Sequence, residues 1–107
     1  MVARGDIVWA DLGAPARRRP VCVLTRDAAI EVLSAVTCAP ITHTIRGIRS
    51  EIAVGPDEGL PDASVITCDN IVTLPKTMLS EDAVGHLGLE KRAALDQALR
   101  YALDIQY

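Results

Sequence analysis

Residues 19–25 read RPVCVLT, an arginine and a proline followed by apolar and β-branched residues. Such a run predicts a β-strand, and Pro20 at its first position removes no hydrogen bond from the interior of a sheet. A second apolar run closes with APIT at residues 39–42. A guanidinium at the start of one strand and a hydroxyl at the end of the next can meet over one edge of a small barrel. We therefore expect Arg19 and Thr42 to bind the same phosphate group.

The remaining segments read as further short strands, loops and one long helix. The final helix is the best-defined element, because Leu95, Leu99 and Ala102 recur at helical spacing. Together they predict a mainly β (α+β) fold, a small antiparallel barrel with short helices and a C-terminal helix, and residues 1–107 as one domain. The predicted strands cover residues 5–11, 20–25, 35–42, 49–54, 64–69 and 84–87, with loops at 12–18 and 55–62, a helical turn capped by Asp27 and the helix at 89–105.

Composition excludes several classes of protein. Half of the residues are hydrophobic, yet no apolar run approaches the ~18 residues that a membrane span needs. The first residues lack the basic-then-apolar order of a signal peptide. Three widely spaced cysteines, Cys22, Cys38 and Cys68, favour reduced thiols packed as small hydrophobes over a disulfide framework or a zinc site. We therefore expect a cytoplasmic protein with no membrane partner, no metal and no other cofactor.

The charge is unevenly distributed along the chain, although the net charge is −3. Residues 51–107 carry four basic and ten acidic side chains, whereas residues 1–50 carry seven arginines against four acids, a local charge of +3. A local basic surface attracts phosphates more than the net charge repels them. The first half can therefore contact a nucleic acid, although a chance cluster of solvated arginines gives the same count.

The chain also carries five short motifs in a fixed order. They are RGDIVW at 4–9, RP at 19–20, PIT at 40–42, CDN at 68–70 and the leucine-rich helix at 89–105. This ordered set resembles the MazF/PemK/Kid family of type II toxin endoribonucleases over almost the whole chain. The resemblance implies an SH3-like barrel, a homodimer, and metal-independent, sequence-specific cleavage of single-stranded RNA (mRNA) that arrests growth. It also implies a MazE-like antitoxin whose acidic C-terminal segment occupies the RNA groove.

The resemblance gives Arg19 and Thr42 catalytic roles in attack by a ribose 2′-hydroxyl on its own 3′-phosphate. Arginine is a poor proton shuttle, because its pKa stays above ~12, so charge stabilisation is the role that its chemistry favours. The alternative for Arg19 is a structural pairing with Asp11. Threonine is also common in strands, so Thr42 has a structural alternative too.

The group that accepts the 2′-proton stays open among Asp69, His43 and a phosphate oxygen of the substrate. Asp69 matches a position proposed as the base in one branch of the family, but that branch has an arginine two residues earlier, where this chain has Thr67. Asn70 replaces the family's usual glutamine and is shorter. Histidine titrates near neutral pH, which suits a general base, although His43 also reads as an ordinary turn residue.

Several other side chains are candidates for RNA binding. The predicted RNA-binding set is Arg17, Arg18, His43, Arg46, Arg49, Asp69 and Asn70. Trp9 is expected in the core, so hydrogen bonds rather than stacking would read the bases. Two alternatives remain: a gyrase-poisoning (CcdB-like) toxin of the same fold, and a barrel that only binds protein or RNA. The gyrase group depends on a terminal Trp-Gly-Ile, whereas residues 105–107 here read IQY.

Overall fold

Short antiparallel strands and a C-terminal helix build the chain, and the computed structural model describes residues 2–15 and 17–106. The predicted mainly β fold with a terminal helix is confirmed. The longest helix has 15 residues, and none in the described part of the chain is long and apolar enough to cross a bilayer. The elements are β1 (Asp6–Asp11), β2 (Arg18–Val23), α1 (Asp27–Ile30), β3 (Ala35–Thr42), β4 (Glu51–Val54), β5 (Ser64–Thr67), β6 (Val72–Pro75), β7 (Gly85–His86) and α2 (Leu89–Leu103), with 3₁₀ turns at Pro56–Glu58, Cys68–Asn70 and Lys76–Met78.

Strand β3 holds the sheet together, because it pairs with three other strands. The strand order is β4-β5-β3-β2-β1-β7, and β6 pairs with β3 off this path. The first half of β3 pairs with β6, whereas its last two residues, Ile41 and Thr42, pair with β5. A strand shared in this way must bend from one sheet to the next, so the sheet curls into a half-barrel.

The core consists of two clusters, one on each face of β1. Ile7 belongs to the cluster beneath α2, which includes Ile66 and Leu95. Val8 points to the other face and packs with Ile30 of α1. Successive residues of a strand point to opposite faces, and both faces of β1 are covered here. This explains why the first motif is apolar at consecutive positions instead of alternating with polar residues.

The three cysteines are buried free thiols, as predicted. Burial raises the pKa of Cys22 to about 12, and it raises those of Cys38 and Cys68 to about 11. Because the thiolate is the reactive form, these side chains are inert near neutral pH. Cys22 and Cys38 lie on adjacent strands, whereas Cys68 opens a 3₁₀ turn.

Two local predictions from the sequence are wrong, and one strand has no counterpart among the predicted elements. Asp27 does not cap α1: it is the first helical residue, and its carboxylate accepts a hydrogen bond from the backbone N of Arg4 at 2.7 Å. Asp69 and Asn70 do not lie on a strand, because β5 ends at Thr67 and the chain turns into a 3₁₀ helix. Strand β6 was not predicted. Its four residues run into Pro75, a residue that reads as a loop signal from sequence.

The segment 55–60 is fixed against β7 by close backbone contact. Glu58 is buried, accepts a hydrogen bond from Gly55 N and forms a two-pronged ion pair with Lys91 of α2 at 2.9 Å. A Cβ atom on Gly85 would lie 1.9 Å from the carbonyl oxygen of Glu58. Only glycine therefore allows this approach, which sets the position of the following residues, Leu60 and Pro61.

We predict that Gly85→Ser lowers the free energy of unfolding by about 1–3 kcal/mol, because the new side chain must displace backbone. Gly88→Ser is the matched control: no atom lies within 4 Å of a Cβ there, and serine is a favoured residue at the start of a helix. Urea denaturation of both variants checks the expectation. Equal stability of the two variants would contradict the close contact at Gly85.

Candidate active site

The pairing of β2 with β3 positions the two predicted catalytic residues. Val21 pairs with Pro40, Cys22 with Ala39 and Val23 with Cys38. Arg19 lies two residues before Val21 and Thr42 two residues after Pro40, so both lie at the same end of the paired strands. Both side chains line a cleft of about 410 Å³, which we call the β2–β3 cleft. Both also line a more apolar depression of about 380 Å³ beside it. The structure thus brings Arg19 and Thr42 together.

The hydroxyl of Thr42 is oriented by the turn that follows it. Its Oγ1 accepts a hydrogen bond from the backbone N of Thr44 at 3.2 Å. A hydroxyl has one proton to donate, and accepting a bond leaves that proton available. The β-branch restricts the side chain to few rotamers. Thr42 can therefore donate to an anionic oxygen placed in the β2–β3 cleft.

The guanidinium of Arg19 is exposed on the cleft wall. The pairing with Asp11 considered from sequence does not form, because Asp11 accepts a hydrogen bond from Gly13 N within its own loop. None of the ion pairs in residues 2–15 and 17–106 involves Arg19. Its fork of N–H donors can therefore face a ligand.

Trp9 and Arg18 form the next part of the wall. The guanidinium of Arg18 lies over the Trp9 ring, 5.3 Å from its centroid. The prediction that Trp9 is a core residue is wrong, because Trp9 is partly exposed and lines the β2–β3 cleft. Trp9 shares a face of β1 with buried Ile7 but lies beyond the cluster under α2. A tryptophan with one covered and one open side suits this boundary.

His43 lies on the same cleft, and its hydrogen bonds define its neutral tautomer. Nδ1 of His43 is 3.2 Å from Oγ of Ser64, and that hydroxyl donates its proton to the carbonyl oxygen of Asp62 at 3.1 Å. Ser64 therefore accepts from His43, which puts the ring proton on Nδ1. Nε2 then carries the lone pair, so His43 has the form that a general base requires.

A second cleft of about 290 Å³, the Asp69 cleft, shares Thr42 with the first. Asp69 Oδ2 accepts a hydrogen bond from Oγ of the buried Ser50 at 2.5 Å. Glu51 accepts from the backbone N atoms of Arg46 and Gly47, at 3.1 and 2.9 Å, and so orders the turn after β3. The cleft is lined by Pro40, Thr42, Thr44, Arg46, Ile48, Glu51, Thr67, Asp69 and Asn70.

The comparisons with known proteins identify the family. The model of the PemK-like, MazF-like toxins of type II toxin–antitoxin systems matches residues 3–103. The chain belongs to this toxin family. It is 38% identical over 91 residues to endoribonuclease MazF3 of Mycobacterium tuberculosis, covering 85% of this chain and 87% of that protein. It is 37% identical over 103 residues to the probable endoribonuclease MazF5 of the same species, covering 95% and 93%.

The solved structures that this chain resembles belong to the same toxin family as its sequence relatives. The M. tuberculosis toxin MazF-mt6 superposes with a TM-score of 0.87 at 37% identity, covering 95% of this chain and 99% of that one. A mycobacterial endoribonuclease in complex with its cognate antitoxin superposes with a TM-score of 0.86 at 27% identity, covering 100% and 99%. The curled half-barrel with its terminal helix is therefore the MazF fold.

Two of the candidate RNA-binding arginines of this MazF-like toxin, Arg17 and Arg49, are not among the lining residues of either cleft. Arg17 is exposed in the loop before β2, where its φ of 63° and its bond from N to the Gly13 carbonyl close a tight turn; neighbouring Ala16 lies outside the described residues. Arg49 lies over the ring of Tyr101 on α2, 4.4 Å from its centroid. A separate cavity of about 460 Å³ holds Arg49 together with the C-terminal end of α2.

Sequence reasoning missed Ser50 and Ser64, which orient Asp69 and His43. Neither serine belongs to a motif, and each acts through a contact between distant segments, so no signal in the sequence could identify them. Among the described residues, no group of three or more His, Cys, Asp and Glu side chains lies close enough together to hold a metal ion.

We predict that neutral His43 carries its proton on Nδ1, and that Ser64→Ala lets both tautomers populate because the acceptor for that proton is lost. Nitrogen-15 NMR of the imidazole ring, with His86 as the internal reference, measures the tautomer ratio. Wild-type protein with the proton mainly on Nε2 would contradict the assigned hydrogen bonds.

Proposed function

We propose that this toxin endoribonuclease cleaves single-stranded RNA in the β2–β3 cleft, by attack of a ribose 2′-hydroxyl on the adjacent 3′-phosphate. The observation that carries the proposal is the position of Arg19, Thr42 and His43 on one cleft. These three residues supply a cation, a hydroxyl donor and a base. The reaction needs RNA because DNA lacks the 2′-hydroxyl.

Arg19 and Thr42 act on the phosphate as charge develops on its oxygens. The guanidinium fork pairs with two phosphate oxygens, and the Thr42 hydroxyl donates to one of them. The Thr42 hydroxyl is oriented before the substrate arrives, and both donors meet the charge that develops on the phosphate oxygens, so they favour the pentacovalent transition state over the ground state. The 2′-oxygen forms a bond to phosphorus while the bond to the 5′-oxygen breaks. The products are a 2′,3′-cyclic phosphate and a 5′-hydroxyl end.

His43 is the group that we propose as acceptor of the 2′-proton. Its Nε2 lone pair is available in the neutral ring, and it lines the same cleft as Arg19. Asp69 is the weaker candidate, because it lines only the neighbouring cleft and one of its oxygens already accepts from Ser50. The leaving 5′-oxygen takes its proton from solvent. Nucleophile, base and charge stabilisation all come from the RNA and the protein, so the mechanism calls for no metal ion.

A homodimer in the cytoplasm, neutralised by a MazE-like antitoxin, completes the proposal, with residues 1–107 as one toxin domain. The solved mycobacterial relative in complex with its cognate antitoxin supports such a partner. The arginine-rich first half suits an acidic antitoxin segment that occupies the clefts in place of RNA. Cleavage of mRNA would then arrest growth when antitoxin is absent. The gyrase-poisoning alternative is not favoured, since the curated relatives are named endoribonucleases.

We predict that Arg19→Ala lowers the cleavage rate of a long RNA in chelator by at least ~100-fold, as expected for loss of a charge-stabilising donor. Thr42→Val keeps the shape without the hydroxyl and should cost at least ~10-fold, or ~1.4 kcal/mol. Arg26→Ala, which removes an exposed arginine outside the clefts, is the control and should cleave like wild type. Wild-type rates for the Arg19 and Thr42 variants would remove both residues from the reaction.

The base should be visible in the pH dependence of the single-turnover rate. A general base must be unprotonated to accept the 2′-proton, so the wild-type rate should rise with pH and then reach a plateau. His43→Gln should lose that rising limb, and its rate at the plateau should fall by about 100-fold or more. A variant that keeps both the limb and the rate would show that another group takes the proton.

A further inference from the structure

We propose that the Asp69 cleft is a base-selective pocket for a nucleotide next to the scissile phosphate, and that it favours bases with an exocyclic amino group over uracil. Ser50 is its positioning residue. This inference rests on the proposed function, because it names the nucleotide that the β2–β3 cleft receives beside its phosphate.

The position of the cleft makes it a neighbour of the reacting phosphate. Thr42 lines both clefts, so a phosphate held by its hydroxyl lies at the entrance to the Asp69 cleft. The volume of about 290 Å³ lies at the lower end of the range of small-molecule sites, ~300–1,000 Å³. A site of that size suits one planar base.

The charges of the two clefts differ in sign. The lining of the β2–β3 cleft includes Arg18 and Arg19 and no acidic residue. The lining of the Asp69 cleft includes one cation, Arg46, and two carboxylates, Glu51 and Asp69. A phosphate is attracted to the first and repelled by the second. The Asp69 cleft therefore accepts a neutral group that donates hydrogen bonds, which is what a base edge offers.

Ser50 makes Asp69 a directed acceptor. Ser50 is only 1% exposed, and its hydroxyl donates to Oδ2 of Asp69, while its carbonyl accepts from Cys68 N at 2.9 Å. These two bonds tie the 3₁₀ turn and the carboxylate together through Oδ2, which leaves Oδ1 available to a ligand in the cleft. Glu51 accepts from two backbone N–H groups through Oε1 and is held against the turn, whereas Asp69 is the more exposed of the two carboxylates, so we assign the reading of the ligand to Asp69.

A second polar group in the same cleft lacks a partner. Thr67 Oγ1 is buried and makes no hydrogen bond to any described residue. A buried hydroxyl without a partner is costly, and a bound base would satisfy it. The amide of Asn70 and the guanidinium of Arg46 add donors for ring nitrogens and carbonyl oxygens.

The acceptor at Asp69 determines which bases are favoured. Adenine and cytosine present exocyclic amino donors at N6 and N4, and guanine presents one at N2. Uracil has no amino group, and its N3–H is flanked by two carbonyl oxygens that repel a carboxylate. A good pair of this kind discriminates by about tenfold or more. We therefore expect cleavage sites to be depleted of uracil at one position beside the cut.

The test maps 5′-hydroxyl ends on a library of RNAs with randomised sequence, after short incubation with wild type, Asp69→Asn, Ser50→Ala and Asp57→Asn. Asp57 lies exposed in another 3₁₀ turn and is the matched control. We expect about tenfold depletion of uracil at one flanking position for wild type and the control. Asp69→Asn should abolish it, because an amide can also donate to uracil O4. Ser50→Ala should weaken it at that position alone.

The outcomes separate this inference from the proposed function. Cleavage by wild type with the same base profile in Asp69→Asn would overturn the base pocket and leave the nuclease intact. An absence of cleavage by wild type would overturn both. Circular dichroism of Ser50→Ala checks that the loss of a buried hydroxyl leaves the fold in place. Asp69→Asn, on an exposed side chain, decides the question if Ser50→Ala does not fold.

Discussion

The antiparallel register of β2 and β3 is the constraint on which the rest of the site depends. Val21 opposite Pro40 brings an arginine at the start of one strand toward a threonine at the end of the next. A shift of one residue would turn the alternating side chains to the other face of the sheet. The buried pair Cys22 and Ala39 holds this register from within the core, since each is fully enclosed. A contact between two unreactive core residues thus determines where Arg19 and Thr42 lie.

The bend in β3 adds the second half of the site. Its last two residues lie beyond the pairing with β2 and pair with β5 on the opposite edge, and Thr42 at their end lines both clefts. One cleft is cationic and the other carries more acidic than basic groups, so a nucleotide meets a phosphate site and a base site in sequence. In each cleft a serine orients a functional side chain: Ser64 for His43 and Ser50 for Asp69. Turns that hold the side chains in place limit the reorganisation that the reaction requires.

Much of this was predictable because it is local in the sequence. The bounds of β3 and the helix from Leu89 follow from apolar runs and helical spacing, and the ordered motifs led to the family. The serine contacts and the stacking of Arg49 on Tyr101 were not predictable, because each joins segments distant along the chain. Trp9 was misassigned for a related reason: whether it is enclosed or lines a cleft depends on how β2, the end of β3 and residues 60–64 are arranged around it. The composition of residues 64–69 predicts one continuous strand, but β5 ends at Thr67 and the chain turns at Cys68–Asn70.

The central claim is that Arg19 and Thr42 act on one phosphate in one transition state. A double-mutant cycle on single-turnover cleavage by Arg19→Ala, Thr42→Val and the double variant tests it most directly. Residues that share a ligand couple by at least ~0.5 kcal/mol, so the double variant should lose clearly less than the sum of the two single losses. Strictly additive losses would mean that the two side chains serve different steps or different groups, and the shared phosphate site would be wrong.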